Sequence, residues 1–162
     1  MHYTATVQGN RRFEVFGETN ELAGTMECNF WRPAKAVIAI GDTVYHIAPS
    51  GFWQTTMIVT RHNSPFAEIK FSMSKGLKIN FSTAATTYFF KYKGFWHTRY
   101  AVWDEYGQET GIIEPHFNWK ALKYSYDMEI HAHTLDKEAA QLLPLLMLYC
   151  LRYTRMLAAG AY

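Results

Sequence analysis

The chain has 162 residues and a formal net charge of +2 at pH 7, and 49% of its residues are apolar and 17% aromatic. This composition excludes a disordered chain and favours β-structure. The charge is too small for a dedicated nucleic-acid binder, so no nucleic-acid partner is expected. A single domain over residues 1–162 is the organisation that this length predicts.

Strand-like segments follow one another along most of the chain, separated by turn signals at the spacing that is typical of sandwiches and barrels. The predicted strands are residues 3–7, 12–16, 22–30, 34–40, 44–48, 53–60, 66–73, 77–81, 87–93, 98–104, 110–114, 121–124 and 128–133. Helical periodicity begins only beyond Leu135. The pattern therefore predicts a mainly β protein with one C-terminal helix.

An internal repeat refines this prediction. The sequence GFWQT at 51–55 returns as GFWHT at 94–98, and Gly24, Ala67 and Gly111 take equivalent places 43 and 44 residues apart. Three such units predict roughly ten to twelve strands, whereas a propeller typically has four or more blades. A closed barrel of that many strands is wider than its own side chains can fill, so something must occupy it.

The C-terminal segment supplies that filling. Residues 142–151 read LLPLLMLYCL, and a helix that is apolar all round must lie in a core or in lipid. We predict a helix over 136–159, with Asp136 as N-cap, a kink or restart at Pro144 and a stop at Gly160. The run is shorter than the roughly 20 residues that a membrane span needs, and Arg152 and Arg155 follow it, so no transmembrane span is expected.

The termini and the cysteines point to an ordinary intracellular chain. The N-terminus has no apolar core of the signal-peptide kind, so a cytoplasmic protein, either free or peripheral to a membrane, is expected. Cys28 and Cys150 match no metal or redox spacing, and Cys150 is predicted to be a reduced, buried thiol.

These features together resemble a known superfamily. The segments that carry the resemblance are GFWHTRYAVWDEYG at 94–107, GII at 111–113 and the apolar residues 142–157. They resemble the tubby C-terminal-like superfamily, which includes tubby domains, phospholipid scramblases and LURP-one-related proteins. The resemblance implies a closed antiparallel barrel of roughly twelve strands, within residues 3–133, around a central hydrophobic C-terminal helix. In size the chain is most similar to the compact LURP-one-related type, whose role is poorly defined, and it has no acidic loop of the scramblase calcium-binding kind.

Basic residues on neighbouring segments form one candidate site. Strand alternation places Lys91 and Lys93 on the outer face, and Arg99, Lys120 and Lys123 lie close to them in the pattern. The resemblance implies a lipid role, because tubby domains that bind phosphoinositides use basic residues on a strand pair. The alternative is that the lysines blunt sheet edges and keep the protein soluble.

A second candidate site is the sequence EIHAH at 129–133. Alternation puts Glu129, His131 and His133 on one face of a strand, and His–x–His with a carboxylate can hold zinc or iron. A further ligand is usually needed, and His116 is the candidate. If the intervening residues face the core, the His pair simply faces water.

The tryptophans are predicted mainly as core residues. Trp53 and Trp96 occupy equivalent repeat positions, whereas Trp31, Trp103 and Trp119 are expected to cap the barrel ends. If they were exposed, they would instead be membrane-interface anchors.

The sequence contains no nucleophile elbow, phosphate loop, HExxH or Cys–His motif, so neither an enzyme nor a cofactor is expected. The favoured function is a non-enzymatic barrel that binds anionic phospholipid head groups or a membrane surface. One alternative is a carrier that holds a small apolar ligand in the barrel, with the helix outside as a lid. The other is a His-dependent metal-binding protein.

Overall fold

The computed structural model describes residues 1–9, 11–29, 31–32, 34–51, 55–72, 76–94, 98–131 and 135–160. In these ranges the chain forms twelve strands followed by one helix. The strands are β1 (His2–Gln8), β2 (Arg12–Phe16), β3 (Leu22–Cys28), β4 (Ala36–Ile40), β5 (Thr43–Ser50), β6 (Thr56–Arg61), β7 (Ser64–Ser72), β8 (Gly76–Phe81), β9 (Thr87–Lys93), β10 (Arg99–Asp104), β11 (Glu109–Asn118) and β12 (Lys123–Ile130), and the helix is α1 (Lys137–Ala158).

The strands close into one antiparallel barrel. Each strand pairs with its neighbours in the sequence, and β1 pairs with both β2 and β12, so the sheet returns to its own beginning. Side chains alternate between the core and the outside, as on β8, where Leu77, Ile79 and Phe81 are buried. The predicted fold class is confirmed.

Helix α1 fills the barrel. Its side chains from Leu142 to Leu151 are all buried, and they belong to one core cluster with the inward side chains of the strands. An all-apolar helix surface is stable only where apolar groups surround it, which the inner face of the barrel provides. The filled interior excludes the carrier alternative, in which the helix would lie outside. Of the helices in the described ranges, none is long and apolar enough to cross a membrane.

The ends of α1 follow the local sequence signals. The Asp136 side chain accepts a hydrogen bond of 2.8 Å from the Ala139 N–H, as an N-cap does. At the other end Gly160 takes a left-handed φ of 68°, the conformation that glycine adopts most readily after a helix. Pro144 lies inside the helix, which continues without a break, so of the predicted kink or restart the restart does not occur. Pro144 has no N–H group, so one helical hydrogen bond, the one to the carbonyl oxygen of Ala140, is missing. Packing on all sides of the helix compensates for its loss.

The predicted repeat is visible in the barrel wall as a β-bulge that recurs at equivalent positions. Three equivalent strand pairs, β2–β3, β6–β7 and β10–β11, each carry a β-bulge next to a buried valine. These valines pair with the small residues of the repeat: Val15 with Gly24, Val59 with Ala67 and Val102 with Gly111. Bulges bend a strand and increase its twist, and a curved, closed sheet requires both.

The predicted strands 121–124 and 128–133 are one strand, β12, and β11 continues past its predicted end at Glu114 to Asn118. The polar residues Ser125 and Asp127, which interrupted the apolar pattern, occupy the outward half of the alternation. The inward half of β12 is formed by Tyr126, Met128 and Ile130, all of which are buried. The separation into two strands was therefore wrong.

Candidate functional site at the basic end of the barrel

The five cations predicted as an anion site lie within the part of the barrel formed by β9 to β12, on three of these strands and on the β11–β12 turn. Lys91 and Lys93 point outward from β9, and Arg99 opens β10 directly opposite Lys93. Lys120 lies in the turn between β11 and β12, and Lys123 opens β12. All five are exposed.

Carboxylates on β11 neutralise part of this group. Lys93 forms an ion pair with Glu109, and the Arg99 Nε lies 2.7 Å from an oxygen of Glu114. The Lys91 ammonium lies over an aromatic ring, 5.9 Å from the centre of Trp103. Exposed ion pairs add little stability, but they do lower the net positive charge of the wall.

The turn that carries Lys120 and Lys123 lies at the end of the barrel where α1 ends. Antiparallel pairing brings the β1–β2 turn, the β3–β4 loop and the β11–β12 turn to this same end. It also brings the last turn of α1 there, since the Arg155 guanidinium lies 5.0 Å from the ring centre of Tyr124. We call this the basic end, after the cations that these segments place there: Arg11, Arg32, Lys35, Lys120, Lys123 and Arg155.

Sequence reasoning missed Arg11, Arg32, Lys35 and Arg155, because they are far apart along the chain. A usable signal was available. In an up-and-down barrel the turns after the first, third and eleventh strands lie at one end, so cations in those turns converge. That argument needs the correct number of strands, which the separation of β12 into two had obscured.

Large apolar side chains are exposed at the same end. Trp31 in the β3–β4 loop is 87% exposed, and Trp119 and Leu122 in the β11–β12 turn are 80% and 73% exposed. The expectation that Trp31 and Trp119 are buried caps is therefore wrong. Phe117 packs edge-on against Trp119, with 4.7 Å between the ring centres, so the Trp119 ring is supported on one side and open on the other.

The opposite end of the barrel, where α1 begins, is acidic. Its turns and helix cap carry Glu18, Glu21, Asp42, Glu105, Asp136 and Glu138. We call it the acidic end. The net charge of the chain is only +2, so the positive charge of the basic end is offset by the negative charge of the acidic end.

Two carboxylates of the acidic end hold the start of α1. Glu138 accepts a 2.6 Å hydrogen bond from the Tyr45 hydroxyl and forms an ion pair with Arg61, and the Asp136 side chain accepts a hydrogen bond from Thr83. Desolvation alone would raise the pKa of Glu138, but the hydrogen bonds from Tyr45 and Arg61 outweigh it, so the pKa is lowered. The pKa of Asp136 is lowered by hydrogen bonds from the Ala139 N–H and from Thr83.

The predicted metal site is brought together only in part. The Nε2 of His131 lies 3.5 Å from an oxygen of Glu129, while His133 is outside the described residues. His116 pairs instead with Asp127, its Nε2 lying 3.0 Å from the carboxylate. His116 is opposite Ser125 on β12. Ser125 and Glu129 are four residues apart along that strand, so His116 lies about 13 Å from Glu129 at the usual strand spacing. In the described ranges no three such side chains are placed to share a metal ion.

Comparison with known proteins gives one structural relative and no relative by sequence. No protein-family model and no curated protein matches the chain. An X-ray structure of the Arabidopsis thaliana protein AT5G01750 superposes with a TM-score of 0.53 and 16% sequence identity, covering 90% of this chain and 88% of that one. At this identity the likeness concerns the fold. The chain thus shares the fold of that protein, and the fold that its sequence predicted is observed: twelve antiparallel strands closed around a C-terminal helix.

Proposed function

We propose that this chain is a non-enzymatic barrel module that docks onto an anionic phospholipid surface through its basic end. The observation that carries the proposal is that exposed cations and exposed large apolar side chains coincide there, on the β3–β4 loop and the β11–β12 turn. Tryptophan beside lysine and arginine is typical of surfaces that rest at a membrane interface.

The charge division of the barrel favours one orientation. A negative surface attracts the basic end and repels the acidic end, so the barrel approaches with the C-terminal end of α1 first. Lys93 and Arg99 flank the β9–β10 turn at the same end of the barrel, but they are partly neutralised by Glu109 and Glu114. They therefore contribute less than Lys120 and Lys123, and Lys91, farther along β9, contributes only if the barrel tilts.

The expected affinity follows from the number of contacts. A cation near an anionic leaflet contributes about 1 kcal/mol, so Arg32, Lys35, Lys120 and Lys123 together give about 4 kcal/mol, a dissociation constant of about 1 mM. Burying a large apolar side chain such as Leu122 adds about 1.5–3 kcal/mol. Two such side chains would bring the dissociation constant to about the micromolar range. Neither the charges nor the apolar groups suffice alone.

Vesicle co-sedimentation tests the proposal. The protein is mixed with neutral phosphatidylcholine vesicles and with vesicles that also contain phosphatidylserine, at low and at high salt. We expect sedimentation only with the anionic vesicles and a clear loss at high salt, because salt screens exposed charges. No binding to anionic vesicles at low salt would refute the proposal.

Matched variants test the orientation. Lys120→Glu and Trp119→Ser, at the basic end, are expected to weaken binding by about tenfold each, a change that corresponds to 1.4 kcal/mol. Their controls at the acidic end are Lys137→Glu, which makes the same charge change, and Tyr106→Ser, which removes a ring that is 84% exposed. If the controls weakened binding as much as the basic-end variants, the proposed docking end would be wrong.

A further inference from the structure

The pairing of β1 with β12, which closes the barrel, stops before the two strands end. Strands β1 and β12 pair from His2 with Glu129 to Thr6 with Ser125. Beyond that point β1 continues as a partner of β2 alone and β12 as a partner of β11 alone, and in the described ranges no pair joins Val7 to Tyr124. Two hairpins thus separate at the basic end and leave a cleft between them, with unpaired strand edges on both sides.

A cavity of about 350 Å³ lies in this cleft. This volume is at the lower limit for small-molecule sites. One side is formed by the β1–β2 hairpin and the other by the β11–β12 turn and the start of β12. The residues that line it are Val7, Gly9, Phe13, Ala121, Leu122, Lys123, Tyr124 and Tyr126.

The lining combines an aromatic surface with a single charge. Phe13 and Tyr126 lie 6.1 Å apart between ring centres, and Tyr124 stacks on Tyr126 at 6.3 Å. Among the described lining residues, Lys123 is the charged one, and no carboxylate accompanies it. The cavity therefore combines aromatic rings, two of which carry hydroxyl groups, with one lysine among its lining residues.

Contacts on the β11–β12 side hold the cavity in shape without a ligand. The Asn118 side chain accepts hydrogen bonds from the N–H groups of Lys120 and Ala121, at 3.0 and 3.1 Å, and so fixes the turn. Leu122 has a φ of 49°, a conformation that a large side chain adopts only where its surroundings impose it. On the same side, the Arg155 guanidinium packs on the Tyr124 ring. A preformed site binds with a small ordering cost.

We infer that this cleft binds a small amphipathic carboxylate, an apolar chain or ring that carries one carboxylate group. The apolar part lies against Phe13 and Tyr126, and the carboxylate pairs with the Lys123 ammonium. The single lysine among the lining residues matches the single negative charge of a carboxylate. The inference does not depend on the proposed membrane function, because the ligand is a soluble molecule.

Calorimetric titration with octanoate, and with octanol as the neutral molecule of the same chain length, tests the inference. Wild-type protein should bind octanoate about tenfold or more tightly than octanol, the difference that a charge-assisted hydrogen bond provides. Lys123→Gln should abolish that preference. Lys120→Gln, which alters a lysine that is outside the lining, should preserve it. Equal affinities of the wild type for the two ligands, or binding of neither, would overturn the inference.

A variant that fills the cavity separates this inference from membrane docking. Val7→Trp changes a half-buried lining residue of β1 that lies outside the β3–β4 loop and the β11–β12 turn. It should weaken binding of both octanoate and octanol while leaving vesicle sedimentation unchanged, and a thermal melt confirms that the variant is folded. If Val7→Trp bound octanoate like the wild type, the ligand would lie elsewhere and the inferred site would be wrong. If the wild-type protein bound octanoate but did not bind anionic vesicles, only the docking proposal would be refuted.

Discussion

Replacing Gly24 by alanine tests how closely the helix packs against the barrel wall. A Cβ built at Gly24 would lie 2.8 Å from Cδ1 of Leu145 on α1 and 2.9 Å from the backbone oxygen of Ala39 on β4. The leucine end can rotate, but the strand carbonyl cannot move without disturbing the β3–β4 ladder. The backbone of Gly24 does not have a positive φ, so the effect of the substitution is one of packing.

The magnitude follows from two opposing contributions. An extra methyl group in a well-packed core costs about 1–3 kcal/mol. The loss of glycine flexibility in the unfolded chain returns about 0.4–1 kcal/mol. We therefore expect Gly24→Ala to lower the free energy of unfolding by up to about 2.6 kcal/mol, with a fall in Tm of about 2–4 °C for each kcal/mol at this chain length.

Gly111, at the equivalent place in the repeat, provides the control. A Cβ there would meet Cδ1 of Ile130 at 3.1 Å and Sδ of Met147 at 3.2 Å, both of them ends of flexible side chains, while the nearest backbone atom is 3.4 Å away. Gly111→Ala should therefore change stability by less than about 1 kcal/mol in either direction. Urea unfolding of both variants measures the difference. If Gly111→Ala were as destabilising as Gly24→Ala, the described position of α1 against the wall would be wrong.

Three further predictions concern the helix and the thiols. Leu146→Asp should give little soluble folded protein, since it buries an unpaired charge, and truncation after Leu135 should abolish cooperative unfolding; a cooperative melt of either would contradict a helix-filled barrel. The pKa of Glu138 is lowered by folding, so its ionised form stabilises the fold at pH values above its ordinary pKa of 4.5. This stabilisation is lost as the pH falls through the lower pKa of the folded state. The stability of Glu138→Gln, measured by circular dichroism, should therefore depend less on pH in that acid range. Both cysteines are buried and reduced, and burial raises the pKa of Cys28 and of Cys150, so a thiol reagent should react quickly with either one only after denaturation.

Features encoded by adjacent residues were predictable from the sequence. The N-cap at Asp136, the glycine stop at Gly160 and the buried thiol of Cys150 each depend on a short segment and its apolar content, and all three are confirmed. The barrel itself followed from the repeat. It could be predicted because the small residues of the repeat recur at the spacing of the structural unit.

Features that depend on register were not predictable in this way. Lys91 and Lys93 face outward as predicted, but the neutralisation of Lys93 by Glu109 and of Arg99 by Glu114 depends on which residues of β11 come near β9 and β10. The choice of His116 as a further metal ligand failed for the same reason, since the β11–β12 register puts it beside Asp127. The alternation within one strand predicts which of its side chains share a face, but it does not predict which side chains of the neighbouring strands lie beside them.

The division of charge between the two ends has a structural explanation that must be separated from a functional one. A helix dipole favours carboxylates at its start and cations at its end, each by about 0.3–1 kcal/mol. Asp136 and Glu138 touch the start of α1, and Arg155 lies in its last turn, so the helix dipole accounts for these three.

The same explanation does not extend to the loops of the basic end. Arg32 and Lys120 are on loops outside α1, and a helix dipole gives no reason for an exposed Trp31, Trp119 or Leu122 beside them. Large apolar side chains that are exposed together mark an interaction surface more often than ones scattered singly over a protein. Stability measurements therefore separate the two origins: Lys120→Glu should leave the free energy of unfolding within about 0.5 kcal/mol of the wild type, as a surface change does, while it weakens vesicle binding. If Lys120→Glu instead destabilised the barrel and left vesicle binding intact, the cations of the basic end would serve the fold.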